Sequence, residues 1–389
     1  MTIVREFLQW LDTAPANERA EAAGALARAY LCSDLTVDEL APAEGLMLKL
    51  LDDPSPLVRR ALADALAASP AAPPAVIIAL VGDQPQIAAP VYALSPLLIE
   101  ADLIDGATTG GAAVQAAIAS RAVLPSAVAA ALAELGCTEA CQILAENDGA
   151  EIVPSSIDRM VERFGEIAVI RDALLGREDL PGASRQNLVT RLSQTLAGFV
   201  VDRSWLEEDR ARRIAREACE KATVAIAAER PKSELGPLIR HLCASGQLTA
   251  GLVLRALLSG NVALFEEALA ELSGMPLSRV AALVHDRIGS GLRPLLEKAQ
   301  LPASMHPAFK EAIKAVHDGF ADDADDTRLQ RRMVERVLAA CESADMSDVA
   351  PLITLLRRFA AEAAREEARS YCDNELAGEP PQLIYSAAA

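Results

Sequence analysis

Four histidines, seven cysteines and a large excess of carboxylates are the residues from which this 389-residue chain could build chemistry. His241, His285, His306 and His317 form no His-Glu-x-x-His or other close metal pair. His241 and Cys243 are two apart, which on a helix turns them to different faces. The thiols are Cys32, Cys137, Cys141, Cys219, Cys243, Cys341 and Cys372, with no Cys-x-x-Cys among them. Only Cys137 and Cys141 share a helical spacing, and no histidine lies near them in sequence. Scattered thiols in odd number suit a reducing cytoplasm and read as small buried side chains. Gly-x-Ser-x-Gly elbows, phosphate loops and dinucleotide fingerprints are missing from the sequence. No catalytic residue, metal ligand set or cofactor is therefore expected, and whether the chain is an enzyme stays open with the balance against it.

The carboxylates remain. The net charge is −18, from 37 basic and 55 acidic residues. Residues 1–165 hold 9 Lys and Arg against 22 Asp and Glu. Between Ala61 and Asp158 the one basic residue is Arg121, against eleven acids. Nucleic acid and anionic lipid are poor partners for such a surface, because phosphate needs a basic face. The excess is either a solubilising face or a surface that steers a basic protein or peptide. On the second reading the candidate contacts are Asp83, Asp102, Asp105, Glu134, Glu139 and Glu146. The acidic run Asp322-Asp323-Ala324-Asp325-Asp326 lacks the spacing and distal Glu of a calcium loop and reads as a helix start. Polar residues set in apolar stretches, namely His241, His285, Arg255 and Arg279, mark a rival: an enzyme or small-ligand site in a cleft between two domains.

The elements that must carry these residues are helical. Apolar residues make up 51% of the chain and aromatics only 3%, with Ala and Leu abundant. That composition disfavours sandwiches and barrels and favours many short helices. The longest apolar run, Ala71 to Val81, is short and broken by Pro73 and Pro74, so no membrane span is expected. The first ten residues do not read as a signal peptide.

Four segments align, beginning at Asp52, Gly82, Thr109 and Gly136. Each is a Gly/Asp/Pro turn running into an apolar helix. Val58, Ile87, Val114 and Cys141 are equivalent, spaced by 29, 27 and 27 residues, and Leu62, Val91, Ile118 and Ala145 follow one turn later. Second helices start near Pro74, Glu100, Pro125 and Pro154, where proline costs no hydrogen bond, and make Ile77, Leu103, Val128 and Ile157 equivalent. Two short helices per unit cannot bury their own stripes, so neighbours must stack as an α-solenoid. The expected fold is all-α: a HEAT-like α-solenoid of helix pairs over 1–165, a helical domain over 185–372, and a loose tail over 373–389. In the second half, Ser204-Trp205-Leu206-Glu207 reads as a capping box opening an ion-pair-laced helix, and Thr249 and Asn261 read as caps. Ser347 to Tyr371 reads as a final amphipathic helix whose stripe, Leu352, Leu355, Leu356 and Phe359, packs on its own domain or on a second copy.

The Asp53-to-Arg59 opening resembles a HEAT repeat, in which Asp and Arg take part in packing within the repeat. The chain as a whole resembles an uncharacterised alphaproteobacterial helical-repeat family, a domain of unknown function. Ala93-Leu94-Ser95-Pro96 with Ala101-Asp102-Leu103-Ile104, and the stretch from Arg255 to Pro302, carry that resemblance. It implies an all-helical cytoplasmic protein and transfers no catalytic residue. The expectation for function is a non-enzymatic interaction or scaffold protein whose acidic helical surface holds a protein or peptide partner.

Overall fold

The computed structural model describes residues 2–32, 37–319, 329–343 and 350–378. The acidic run at 322–326 and residues 379–389 lie outside the described residues. All regular structure among the described residues is helical, apart from one isolated bridge between Leu124 and Ala150. The chain divides into two compact units, 1–180 and 181–389.

Unit 1 contains α1 (Thr2–Leu11), α2 (Ala16–Cys32), α3 (Val37–Leu50), α4 (Pro56–Leu66), α5 (Pro74–Val81), α6 (Pro85–Leu94), α7 (Glu100–Thr109), α8 (Ala112–Ala119), α9 (Ser126–Leu135), α10 (Thr138–Glu146), α11 (Pro154–Phe164) and α12 (Ala168–Gly176). Proline opens α4, α5, α6 and α11, where its missing N–H costs nothing. The even helices from α2 to α12 each pack on the next even helix. Among the odd helices, α3 packs on α5, α7 on α9, and α9 on α11. The residues aligned by sequence all face inward: Val58, Ile87, Val114, Cys141, Leu62, Val91, Ile118, Ala145, Ile77, Leu103, Val128 and Ile157 are buried.

A second device ties the even helices together. The last carbonyls of an α-helix have no partner within it. Here a polar side chain just beyond one even helix caps the end of the previous one. Arg121, after α8, donates to Tyr92 O at 2.6 Å and Ser95 O at 2.9 Å, at the end of α6. Asn147, after α10, donates to Ala119 O and Arg121 O at 2.8 Å, at the end of α8. Arg177, after α12, donates to Asn147 O at 3.0 Å. On the odd helices Arg163 of α11 does the same to Ala133 O and Gly136 O at the end of α9.

Unit 2 contains α13 (Gly182–Asp202), α14 (Glu208–Ala228), α15 (Lys232–Ala244), α16 (Ala250–Leu258), α17 (Val262–Ser273), α18 (Leu277–Val284), α19 (Leu292–Lys298), a 3₁₀ turn (Ala303–Met305), α20 (His306–His317), α21 (Arg331–Glu342) and α22 (Ala350–Gly378). Every residue of α16 from Leu252 to Leu258 is buried, so it is a central helix, apolar except for Arg255. Phe265 and Phe309 stack beside it with ring centres 5.9 Å apart. Leu352, Leu356 and Phe359 are buried in this same core and Leu355 packs against it. Thr249 and Asn261 cap α16 and α17 by accepting from Leu252 N and Leu264 N.

The capping box expected at Ser204 does not form. Ser204 has φ +56°, and its N–H and that of Trp205 donate back to Val201 O and Val200 O. That pair of bonds is the left-handed close of a helix. The helix it closes, α13, runs through residues that carry no strong apolar period, and α14 starts at Glu208.

Candidate functional site

The six acids proposed as partner contacts divide by position and by engagement. Asp83 lies in the turn before α6 and is bidentate with Arg59, Nε to Oδ2 at 2.6 Å and Nη2 to Oδ1 at 3.1 Å, with both side chains about nine-tenths buried from solvent. Burial pushes the Asp83 carboxyl up, but the Arg59 bond and charge and the Gln84 N–H outweigh it and hold it below its ordinary value. Asp102 accepts from Ile99 N at 3.0 Å and closes the first turn of α7. Glu134 on α9 is bidentate with Arg159 on α11 at 2.7 and 2.9 Å. Asp105 on α7, and Glu139 and Glu146 on α10, have exposed side chains, and Glu146 accepts from Gln142. Asp102, Asp105 and Glu134 therefore belong to the α7–α9–α11 set, whereas Glu139 and Glu146 belong to the even set and Asp83 to its turns.

The α7–α9–α11 set concentrates charge of one sign. Its exposed acids are Glu100, Asp105, Glu134, Asp158 and Glu162. Its two cations are both engaged: Arg159 binds Glu134 and Glu162, and Arg163 is turned onto backbone carbonyls. Ile99, Val123 and Val153 sit at or just before the N-terminal ends of α7, α9 and α11, and they are 64%, 73% and 39% exposed.

A second site, in unit 2, was not anticipated from the sequence. A cleft of about 650 Å³ opens between α13, α14 and the turn joining α15 to α16. Its walls follow from local geometry. Gly246, at φ +68°, ends α15 with Gly246 N donating to Cys243 O and Gln247 N to Leu242 O. That left-handed close sets Gln247 over α13, where its Oε1 accepts from Thr190 Oγ1 at 3.1 Å and Gln186 Nε2 at 3.3 Å. Thr249 caps α16 and donates to Glu220 Oε1 at 2.9 Å. Glu220 is buried, although it sits among the charges of α14 that read as a solvated face. Burial raises its carboxyl above the ordinary value, while the Thr249 bond, Arg255 and Arg216 pull it down and Glu362 pushes it up. The signal was in the register: Glu220 shares a helical stripe with Thr223, Val224 and Ala227, all buried.

Of the four polar residues suggested for a rival site, Arg255 is buried, bidentate with Glu362 at 2.8 Å and set 4.6 Å over the Phe359 ring. His285 Nε2 is 2.9 Å from Glu266 Oε1, Arg279 is exposed, and His241 is half-buried on α15. They stand on three helices, His241 on α15, Arg255 on α16, and Arg279 within α18 with His285 at its end, and only Arg255 lines a described cleft, the smaller one between α14 and α22. Among the described residues no group of His, Cys, Asp and Glu could hold a metal ion, and no helix is long and apolar enough to cross a membrane.

A family model described as an uncharacterised protein conserved in bacteria, DUF2336, matches residues 87–347. The chain belongs to this family. The match takes in the chain from α6 to α21 and includes the α7–α9–α11 acids and every residue of the unit 2 cleft, while Asp83 and Arg59 fall outside it. No curated protein and no solved structure matches the chain.

Proposed function

We propose that unit 1 is a HEAT-like α-solenoid that works as a non-enzymatic cytoplasmic scaffold, docking a basic protein segment along α7, α9 and α11. One observation carries this reading: five exposed carboxylates on those helices face solvent while both of their arginines are committed, one to two of those acids and one to backbone carbonyls. Exposed Ile99, Val123 and Val153 beside the acids suit a peptide with apolar as well as basic side chains, rather than simple counterions.

The test uses full-length protein as bait in native cytoplasm, followed by reconstitution with the captured partner in purified form. One variant carries Glu100→Lys and Asp105→Lys; a control of equal charge change carries Glu139→Lys and Glu146→Lys. Neither variant touches the Arg59–Asp83 or Arg159–Glu134 pairs. The expected result is at least about tenfold weaker binding for the first variant, near wild-type binding for the second, and affinity that falls steeply with salt. A partner held equally by both variants, or held independently of salt, defeats the proposal.

A further inference from the structure

The smaller cleft of unit 2 gathers more cations than acids, in a chain whose net charge is −18. It has a volume of about 440 Å³ and lies between α14 and α22, with Arg255 of α16 buried against it. Lys221, Arg255, Arg358, Arg365 and Arg369 line it, against Glu217, Glu362 and Glu366. Each of these acids is spent on a cation. Glu362 takes Arg255 in two bonds of 2.8 Å, Glu217 pairs with Arg358, and Glu366 pairs with Lys221. Arg365 and Arg369 are left over. Both are exposed, and neither has a hydrogen bond or ion pair among the described residues. They are four residues apart on α22, which sets them on one face of the helix. Further cations flank the cleft. Burial, and then the charges of Arg213 and Arg216 on α14, pull the Arg358 guanidinium below its ordinary value, against Glu362. Arg213 and Arg216 are exposed and likewise have no hydrogen bond or ion pair among the described residues.

From this we infer that the cleft between α14 and α22 binds a small organic phosphate, whose anionic oxygens are held by Arg365 and Arg369 and whose organic part lies against Ile214 and Ala218. A guanidinium presents a planar fork of N–H donors that matches phosphate oxygens. Two such forks one helical turn apart can share the three terminal oxygens of a phosphate monoester. A carboxylate offers two oxygens, which a single fork satisfies. The apolar part of the wall is accessible: Ile214 is 46% exposed, and Ala218 and Ala361 are exposed beside it. The volume is that of a metabolite-sized site. General attraction cannot produce this binding, because a chain of net charge −18 repels anions and only a local surplus of cations can hold one. The acid excess that makes nucleic acid a poor partner for the whole surface is thus reversed at this one cleft. The inference concerns unit 2 alone and does not rest on the docking reading of unit 1.

Isothermal titration of the full chain with AMP, ADP and phenyl phosphate tests it, with glutarate as a dicarboxylate control and phosphatidylglycerol vesicles as a lipid source of phosphate. At least one of the three soluble phosphates binds with unit stoichiometry, and glutarate binds at least tenfold more weakly. Arg365→Gln with Arg369→Gln, which breaks no ion pair, weakens binding at least tenfold. Ala218→Trp, which fills the cleft from an exposed position with no change of charge, abolishes it. Arg293→Gln with Lys298→Gln, an equal charge change on exposed residues of α19, leaves it within about twofold of wild type. Circular dichroism checks that each variant is folded. Absence of binding by all three soluble phosphates overturns the inference, and capture on the vesicles without such binding overturns it in favour of a lipid surface. So does binding that survives the arginine pair or Ala218→Trp, binding lost equally in the α19 control, or glutarate binding as tight as the phosphates.

Discussion

Replacing Asp83 by Asn loosens unit 1 at the α4–α6 junction and leaves its helices intact. Arg59 reaches from α4 to Asp83 with two bonds and to Asp53 O with a third at 2.6 Å, and Asp53 is itself bidentate with Arg19 from α2. The Arg59–Asp83 pair thus joins consecutive even helices. Unit charges about 4 Å apart attract by roughly 4 kcal/mol at an effective dielectric of 20. Contact with solvent and the ordering of two side chains reduce that to a coupling of about 1 kcal/mol. The measurement is a double-mutant cycle of Asp83→Asn, Arg59→Met and both together. Native-state hydrogen exchange of peptides from α4 and α6 reads local stability without requiring the two units to unfold as one. The coupling also has a pH signature. Asp53 and Asp83 are held below their ordinary values, Asp53 first by the Arg19 bond and Asp83 by the Arg59 bond overcoming burial. Groups depressed in this way add stability above the unfolded carboxyl value of about 3.9, and it is lost as pH falls through that value towards the folded one. The coupling should therefore be present at pH 7 and decline as pH falls below about 3.9. A cycle coupling under about 0.3 kcal/mol at pH 7, or one that does not decline as pH falls below about 3.9, refutes the role given to this pair.

Gly106→Ala places a methyl group 2.6 Å from Tyr92 Cζ and 2.9 Å from its hydroxyl oxygen, in a buried site. The overpacking costs about 1–3 kcal/mol against a helix-propensity gain of about 1, so a lowered melting temperature is expected, and Tyr92→Leu in the same chain should recover part of it. Glu220 is raised by burial against Thr249, Arg255 and Arg216, with Glu362 adding to the rise, so wild-type stability relative to Glu220→Gln should fall as pH climbs from about 4.3 through the raised value. Urea midpoints of the two proteins that stay parallel across that range would contradict it. Burial pushes the Cys141 thiol up to about 11, whereas Cys32, Cys243 and Cys372 are exposed. Ellman's reagent should modify the exposed three in the native protein and reach Cys141 only on unfolding.

Helix positions in unit 1 were legible because its helices are short and their stops are chemical. Proline at the first turn and Gly or Asp between helices mark the ends, and a 27-to-29-residue spacing of apolar pairs marks the inward face. The helix α13 was not legible for the opposite reason. Its buried residues near the start, Gly182, Ser184, Gln186 and Leu188, alternate small, polar and apolar types, so no apolar stripe announces it. The segment Ser204 to Glu207 satisfied the pattern of a helix start, yet Ser204 closes the preceding helix. A serine–glutamate spacing specifies which bonds could form, and the competing left-handed close of α13 takes the backbone N–H that the box would use. The unit 2 cleft inherited both errors, since one wall is α13 and the other bears Glu220, whose neighbours in sequence are charged and solvated.

The arginine signature of the first repeat reads as lost in the later units, and the structure shows where the same work is done. An arginine that pairs with an aspartate needs both residues at matching positions. An arginine or asparagine that caps carbonyls needs only itself, because every helix ends in unpaired carbonyl oxygens. Arg121, Asn147 and Arg177 follow their helices by one or two residues and cap the helix before. Sequence can therefore drift freely on the capped side while the packing of even helix on even helix is kept. The same economy shapes the surface. A cation turned onto internal carbonyls, as Arg163 is, forms no ion pair with the acids that face water on α7, α9 and α11. The interior bonding of unit 1 and the negative face proposed for docking are thus two consequences of one use of arginine.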